Sequence, residues 1–152
     1  MNEAHFHLMV NHFPIIAPII GMLVLIVGIG LKNTSVERTA YAIFIFGAVS
    51  TFLAMMTGDK AEHFLENLPD VSHKLIHEHE ELAERFMIFS YLLGLSSMLG
   101  FWSSVKKHML YKFIFPAVFL LAIIVIYLTA AVGNSGGEIR HPEIRETTTV
   151  AE

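Results

Sequence analysis

Four apolar segments divide this chain, and each is long enough to cross a membrane. They are Phe13–Leu31, Ala40–Met56, Phe86–Trp102 and Phe113–Val132, and none of them contains Asp, Glu, Lys, Arg or His. At about 1.5 Å of rise per residue, helices of this length cover roughly the 30 Å hydrocarbon thickness of a bilayer. The segments lack the alternation of apolar and polar residues that a barrel strand requires. The pattern therefore predicts an all-α bundle of four transmembrane helices, forming a single domain over residues 1–152.

The connection between the second and third spans, residues 57–85, is predicted to contain a short amphipathic helix. Over Lys60–Leu68 the apolar side chains of Ala61 and Leu65 share one helical face, and Pro69 then ends the segment. A second helix is expected to begin near Ser72, a residue type favoured at helix N-caps, and to run without a break into the third span.

The chain after the fourth span is rich in glycine. Gly133 is expected to end that span, and Gly136 and Gly137 would allow the backbone to turn sharply. Residues 133–152 are therefore predicted to form an extended tail that returns over the mouth of the bundle.

Composition agrees with a membrane protein and excludes several classes of site. Hydrophobic residues make up 54% of the chain, charged residues 16%, and the mean hydropathy is +0.57. A soluble domain of this size has too little interior to hide so many apolar residues. The chain has no cysteine, so disulfides, iron–sulfur clusters, thiolate zinc sites and covalent attachment of haem are excluded. The net charge of −4 argues against a nucleic-acid partner.

Charged and histidine residues are sorted between the two faces of the predicted bundle. Four crossings place both termini and residues 57–85 on one face, together with every histidine except His108 and every acid except Glu37. The two short turns on the other face carry a dense group of basic residues: Lys32, Arg38, Lys106, Lys107 and Lys112. Because short basic loops stay in the cytoplasm, we expect a bacterial inner-membrane protein with both termini in the periplasm.

His79 is the sharpest candidate for a functional residue. It lies inside the apolar stripe that Leu75, Leu82 and Phe86 form on the helix entering the third span. An imidazole buried without a partner costs a few kcal/mol, so His79 is expected either to hydrogen-bond a neighbour or to bind a metal or haem. The opposite stripe of the same helix is expected to face water, and it holds His73, His77, Glu80 and Glu84.

Further residues on the same face can supply ligands. His12 lies at the outer end of the first span, and Glu62 follows the second. Glu138 and His141 have the Glu-x-x-His spacing of carboxylate-bridged metal sites, although that motif requires a helix and Pro142 argues against a long one.

Five motifs are distributed over nearly the whole chain: N-H-F-P at 11–14, T-G-D-K-A-E at 57–62, L-P-D-V-S at 68–72, H-E-E-L-A at 79–83 and G-G-E-I-R-H-P-E-I at 136–144. Through them the chain resembles a family of small bacterial four-helix inner-membrane proteins of unknown function. It also resembles, more loosely, a larger class of four-helix membrane domains, some of which are fused to cytochrome c modules. The resemblance implies the topology and gives weight to the motif positions His12, Glu62, His79, Arg140 and His141. It gives none to His5, His7, His63, His73 and His77.

These residues favour a metal or haem centre at the periplasmic face, serving electron transfer. The expected metal ligands are His12, His79, His141 and Glu62. Arg140 would pair with a haem propionate or a carboxylate, with Glu80 and Glu143 as further cofactor-binding residues. The cofactor would be a transition metal ion or haem b, and the partners would be the lipid bilayer and a membrane or periplasmic redox protein.

Two other functions stay open. In the first, the protein is a structural or accessory subunit of a larger respiratory or envelope complex, has no cofactor of its own, and forms homo-oligomers or binds other subunits. In the second, it is an enzyme, which is the weakest hypothesis because His77-Glu78-His79 is not followed by the second histidine of a zinc-protease motif. A transporter is disfavoured, since the spans contain no ionisable side chain.

Overall fold

The computed structural model describes residues 7, 9–65 and 73–141, with the backbone alone at 59–65 and 140. It contains four long helices: α1 (His12–Gly30), α2 (Thr34–Leu65), α3 (His73–Val105) and α4 (Tyr111–Arg140). The described residues include no strand. All four helices are long and apolar enough to cross a membrane, so the predicted all-α bundle of four transmembrane helices is confirmed.

The helices run up and down around a closed ring. Each packs against the next along the chain, and α4 returns to contact α1. At one end of the bundle, His7 contacts Thr57 and His79 contacts Ser135. We call this the histidine end, and we call the opposite end, where Lys32, Glu37, Lys107 and Tyr111 lie, the lysine end. The end of α2, the start of α3 and the residue after α4 therefore lie at the histidine end.

Apolar side chains occupy both the interior of the bundle and its outer surface. Tyr41, Phe44, Leu93 and Val118 are fully or almost fully buried between the helices. Large apolar side chains also cover the outside, among them Leu120, which is 60% exposed. Water would disfavour such a surface, whereas lipid tails accept it. The protein is therefore a multi-pass membrane protein.

Small residues bring α2 and α3 into close contact. A Cβ atom built on Gly94 would lie 2.4 Å from the Cβ of Ala48. One helical turn away on α3, the hydroxyls of Thr51 and Ser90 hydrogen-bond at 2.8 Å. Close packing of small residues and hydroxyl bonds hold helices together where the hydrophobic effect between them is absent.

Helices α1 and α3 end in the same way. In each, the amide of the residue after a left-handed lysine bonds to a carbonyl five residues earlier: Asn33 to Gly28 at 2.9 Å, and His108 to Ser103 at 2.9 Å. This is the Schellman arrangement, whose left-handed position is usually glycine. Here it is Lys32, with φ 49°, and Lys107, with φ 50°.

The ends of the helices at the histidine end differ from the sequence prediction. Helix α2 passes Gly58 and continues to Leu65, so residues 60–65 extend the second transmembrane helix instead of forming a separate one. Gly58 weakens a helix without ending it. The predicted stop at Pro69 and cap at Ser72 lie outside the described residues, and α3 begins at His73 as expected.

Helix α4 also runs further than predicted. It passes through Gly133, Gly136 and Gly137 and ends at Arg140, so the prediction of an extended tail is wrong for residues 133–140. None of the described glycines has a positive φ, so none of them turns the chain. The helix ends where Pro142 excludes the helical conformation from the residue before it, His141, which has φ −124° and ψ 86°. The rest of the predicted tail lies outside the described residues.

Candidate functional site

His79 is fixed by a hydroxyl group on the neighbouring helix. It is half-buried on α3, and its Nδ1 lies 2.8 Å from the Oγ of Ser135 on α4. The Ser135 hydroxyl donates its single hydrogen to the carbonyl of Val132, at 3.1 Å. In that arrangement Ser135 accepts from Nδ1–H of His79, and Nε2 of the neutral ring carries the lone pair; in the other tautomer the hydroxyl donates to Nδ1.

His7 is held in the same way by α2. Its Nδ1 lies 3.0 Å from the Oγ1 of Thr57, which donates to the carbonyls of Leu53 and Ala54, at 3.0 Å each. With Thr57 as acceptor, Nδ1–H of His7 donates and Nε2 carries the lone pair; in the other tautomer Nδ1 accepts from Thr57. Burial lowers the pKa of the His7 imidazole below its usual 6.5, partly opposed by a hydrogen bond to the backbone of Ala54.

The two histidines form a pair. They are close enough for a positive charge on His7 to disfavour one on His79. Glycine makes room for the ring of His79, because a Cβ on Gly136 would lie 3.1 Å from its Cε1, whereas a Cβ on Gly58 would lie in ordinary contact with Cε1 of His7, at 3.6 Å. We call these two imidazoles, with Thr57 and Ser135, the histidine pair.

The other predicted histidine ligands, His12 and His141, do not form a three-residue group with His79. His12 is the exposed first residue of α1, and His141 is exposed directly after α4. Among the described side chains, no three His, Asp or Glu residues form a group that could hold a metal ion. The predicted grouping of His12, His79 and His141 is therefore not formed, because the first and last of these lie on the surface while His79 points between helices.

The predicted acidic and basic residues give less information. Glu80 is exposed and faces His77 at 3.6 Å, so it belongs to the solvated stripe. The backbone places Glu62 on α2 and Arg140 on α4, both at the histidine end, but their side chains and the whole of Glu143 lie outside the described part. The expectation that His73, His77, Glu80 and Glu84 face water is confirmed.

The sequence contains a pattern that identifies His7 as an inward-facing residue, although His7 lies outside the five motifs. The buried residues Val10, Pro14, Ala17 and Gly21 repeat at helical spacing on the first span. His7 continues that series one turn earlier, which marks it as an inward-facing histidine. Sequence reasoning missed Ser135, because the glycines around it predicted an extended tail where the structure has a helix.

In each ring of the histidine pair, one nitrogen contacts a hydroxyl that fixes the orientation of the ring, and the other nitrogen is available as a base or a ligand. Metal-binding histidines show this pattern, in which the second ring N–H donates to a fixed acceptor. A neutral imidazole of this kind can equally take up a proton. No protein-family model, curated protein or solved structure matches this chain.

Proposed function

We propose that this membrane protein binds a transition metal ion or haem at its histidine end and uses it for electron transfer. One observation carries the proposal: His7 and His79 lie half-buried at the same end of the bundle, each with Nδ1 in hydrogen-bond contact with a hydroxyl, so that the tautomer protonated on Nδ1 presents Nε2 as a ligand. A structural role requires one hydrogen bond per ring. It does not require two such rings, from different segments, at one end of the bundle.

The chemistry of the pair suits a metal. A ligating imidazole must be unprotonated, and burial around His7 favours that state near neutral pH. The Thr57 and Ser135 hydroxyls fix the ring planes, so little freedom is lost when a metal binds. Nitrogen ligands without sulfur suit iron, copper, zinc or manganese.

Two imidazole ligands alone do not complete the coordination sphere of a transition metal. Glu62 and Arg140 lie on the helices that carry Thr57 and Ser135, at the same end of the bundle. Glu62 would add a carboxylate ligand, and Arg140 would neutralise a propionate or carboxylate. Water, or a residue from the chain beyond the described part such as Glu143, would complete the site.

The proposed location is the bacterial inner membrane, with the histidine end in the periplasm. The support is the group of basic residues around the two turns of the lysine end, which favours the cytoplasm for that face. The resemblance to small inner-membrane proteins supports the choice of that membrane. The histidine pair would then meet a periplasmic or membrane redox partner.

The test is cofactor retention by the purified protein in detergent. We expect either a Soret band or a bound transition metal by elemental analysis, including after anaerobic incubation with Fe²⁺, Cu²⁺ or Zn²⁺. His79→Ala and His7→Ala should each lower retention by at least about tenfold. His77→Ala, a change of the same kind on the exposed face of α3, should leave retention unchanged.

His79→Gln tests whether a loss of retention comes from unfolding. Glutamine keeps a polar side chain of similar reach beside Ser135, so this variant should keep the fold. A wild-type protein that holds neither haem nor metal under all these conditions would overturn the proposal. Equal losses in His77→Ala and His79→Ala would do the same. Loss on changing His12 or His141, with His7→Ala unaffected, would move the centre away from the histidine pair.

A further inference from the structure

A groove at the lysine end has the chemistry of a binding site for a charged headgroup. Its volume is ≈ 400 Å³, and it opens between the end of α1 and the starts of α2 and α4. Ile29 and Phe115 provide apolar walls on the membrane side. The polar lining comes from Glu37, Tyr111 and two lysines, Lys32 and Lys112.

Glu37 is a buried carboxylate that lacks a basic partner. Its side chain is 7% exposed, and the hydroxyl of Tyr111 donates to its Oε2. Within the part of the chain that the structure describes, no Lys or Arg forms an ion pair with Glu37. The adjacent Arg38 is engaged by Ser104, with Nε 3.0 Å from Oγ and Nη2 2.9 Å from the carbonyl oxygen. Burying a carboxylate is costly unless a cation or several hydrogen bonds compensate it. Its Oε1 is left for a second donor.

The two lysines provide the opposite charge at the mouth of the same groove. Lys32 and Lys112 are both exposed, and over the described residues neither forms an ion pair. Lys32 occupies the left-handed position that ends α1, where glycine carries no steric cost. Glycine could therefore replace Lys32 without backbone strain, as it could replace Lys107 in the other turn.

The groove presents both signs of charge, as a zwitterionic phospholipid headgroup does. Lysines at the membrane interface attract phosphate, and apolar walls beside them accept the start of an acyl chain. A carboxylate deeper in the groove disfavours a second anion and favours an ammonium group that donates hydrogen bonds. We propose that this groove binds an aminophospholipid of the ethanolamine type, with its phosphate between Lys32 and Lys112 and its ammonium on Glu37. This site lies at the opposite end of the bundle from the histidine pair and does not depend on it.

The experiment is native mass spectrometry of the full-length protein in detergent, titrated with phosphatidylethanolamine or phosphatidylglycerol of identical chains. The wild type should retain the ethanolamine lipid roughly tenfold better. Glu37→Gln should abolish that preference, since it removes the charge that selects the ammonium. Glycerophosphoethanolamine and inorganic phosphate should not displace the lipid, because neither has an acyl chain to contact Ile29 and Phe115.

The chain offers a matched control for the lysines. Lys32→Gly removes the charge and suits the left-handed backbone, so the fold is retained, and it should weaken both lipids several-fold. Lys107→Gly makes the same change in the other turn, which does not line the groove, and should leave binding unchanged. Equal retention of both lipids by the wild type would overturn the proposal. Equal effects of Lys32→Gly and Lys107→Gly would also overturn it, and displacement by inorganic phosphate would indicate a site for phosphate alone.

Discussion

At the histidine end, each imidazole contacts a hydroxyl group that also contacts a backbone carbonyl. The Ser135 hydroxyl lies 3.1 Å from the carbonyl of Val132, and the Thr57 hydroxyl lies 3.0 Å from the carbonyls of Leu53 and Ala54. A hydroxyl that donates its hydrogen to a carbonyl accepts from Nδ1–H of the ring. In that tautomer the basic nitrogen of each histidine is Nε2, which is the property that a metal site or a proton acceptor needs.

The first prediction concerns Ser135, which touches His79 but would not touch the metal. Ser135→Ala removes the acceptor for Nδ1–H and frees the ring to rotate or change tautomer. We expect metal affinity to fall by about 10–100-fold while the helical content is unchanged. Titration calorimetry or a competing chelator measures the affinity, and circular dichroism checks the fold.

Ser50→Ala is the matched control, because the Ser50 hydroxyl bonds only within its own helix, to the carbonyl of Phe46 at 2.9 Å. Equal losses of affinity in the two variants would mean that Ser135 acts through general stability. No loss in Ser135→Ala would show that the tautomer of His79 is not fixed by this contact.

The second prediction concerns pH and follows from the buried position of His7. Burial lowers the pKa of His7 in the folded protein below the 6.5 of the unfolded chain, so the unfolded chain binds the proton at higher pH. The contribution of His7 to the free energy of unfolding is thus fully present above pH 6.5 and is lost as the pH falls through the folded pKa. In His7→Gln, thermal stability should depend less on pH between about pH 5 and pH 8.

His73→Gln is the control for this pH series, since His73 is an exposed histidine on the solvated stripe of α3. It should keep the pH dependence of the wild type. A wild-type protein that became more stable on acidification through this range would contradict the sign of the prediction.

At the scale of the helix, the apolar segments predicted the positions of the spans closely, but they did not predict where every helix ends. The first span was predicted at Phe13–Leu31 and is His12–Gly30. Helices α2 and α4 continue beyond their apolar segments at the histidine end by more than one turn, whereas α3 begins at His73, next to the start at Ser72 that the sequence predicted. Hydropathy measures where the lipid ends, whereas hydrogen bonding and packing decide where a helix ends.

The same reason explains what sequence reasoning found of the candidate site. His79 was found because it interrupts an apolar stripe, which is a local pattern. Its partners were not found, because contacts between Ser135 and His79, or Thr57 and His7, join positions some fifty residues apart. The glycines at 133, 136 and 137 predicted a turn, yet burial of Ile139, which is 7% exposed, favours keeping the helix.

The third prediction separates the two roles of glycine in these helices. A Cβ on Gly94 would overlap the Cβ of Ala48 at 2.4 Å, so Gly94→Ala should push α2 and α3 apart and destabilise the protein by about 1–3 kcal/mol. A Cβ on Gly133 would meet nothing within 4 Å, so Gly133→Ala should stabilise α4 by roughly 0.5–1 kcal/mol. Thermal unfolding in one detergent compares both variants with the wild type. Changes in the same direction would contradict the packing of α2 on α3.

At the scale of the whole molecule, the bundle separates two chemistries across the membrane. Imidazoles and carboxylates gather at the histidine end, and lysines gather at the lysine end. The apolar outer surface between them fixes the depth of the bundle in the bilayer. The metal centre and the lipid groove that we propose therefore act on opposite sides and can be tested independently.

The fourth prediction concerns this sidedness, and the chain is suited to testing it because it has no native cysteine. Single cysteines at His73 and Thr34 would lie at exposed positions at the histidine end and the lysine end, respectively. If the basic turns stay in the cytoplasm, a membrane-impermeant maleimide should label His73→Cys in cells with a permeabilised outer membrane, and Thr34→Cys only after the inner membrane is disrupted. The reverse pattern would keep the bundle and invert its orientation, which would place the histidine pair in the cytoplasm and exclude a periplasmic redox partner. Labelling of both positions before disruption would mean that no membrane separates the two ends, and the four crossings themselves would be wrong.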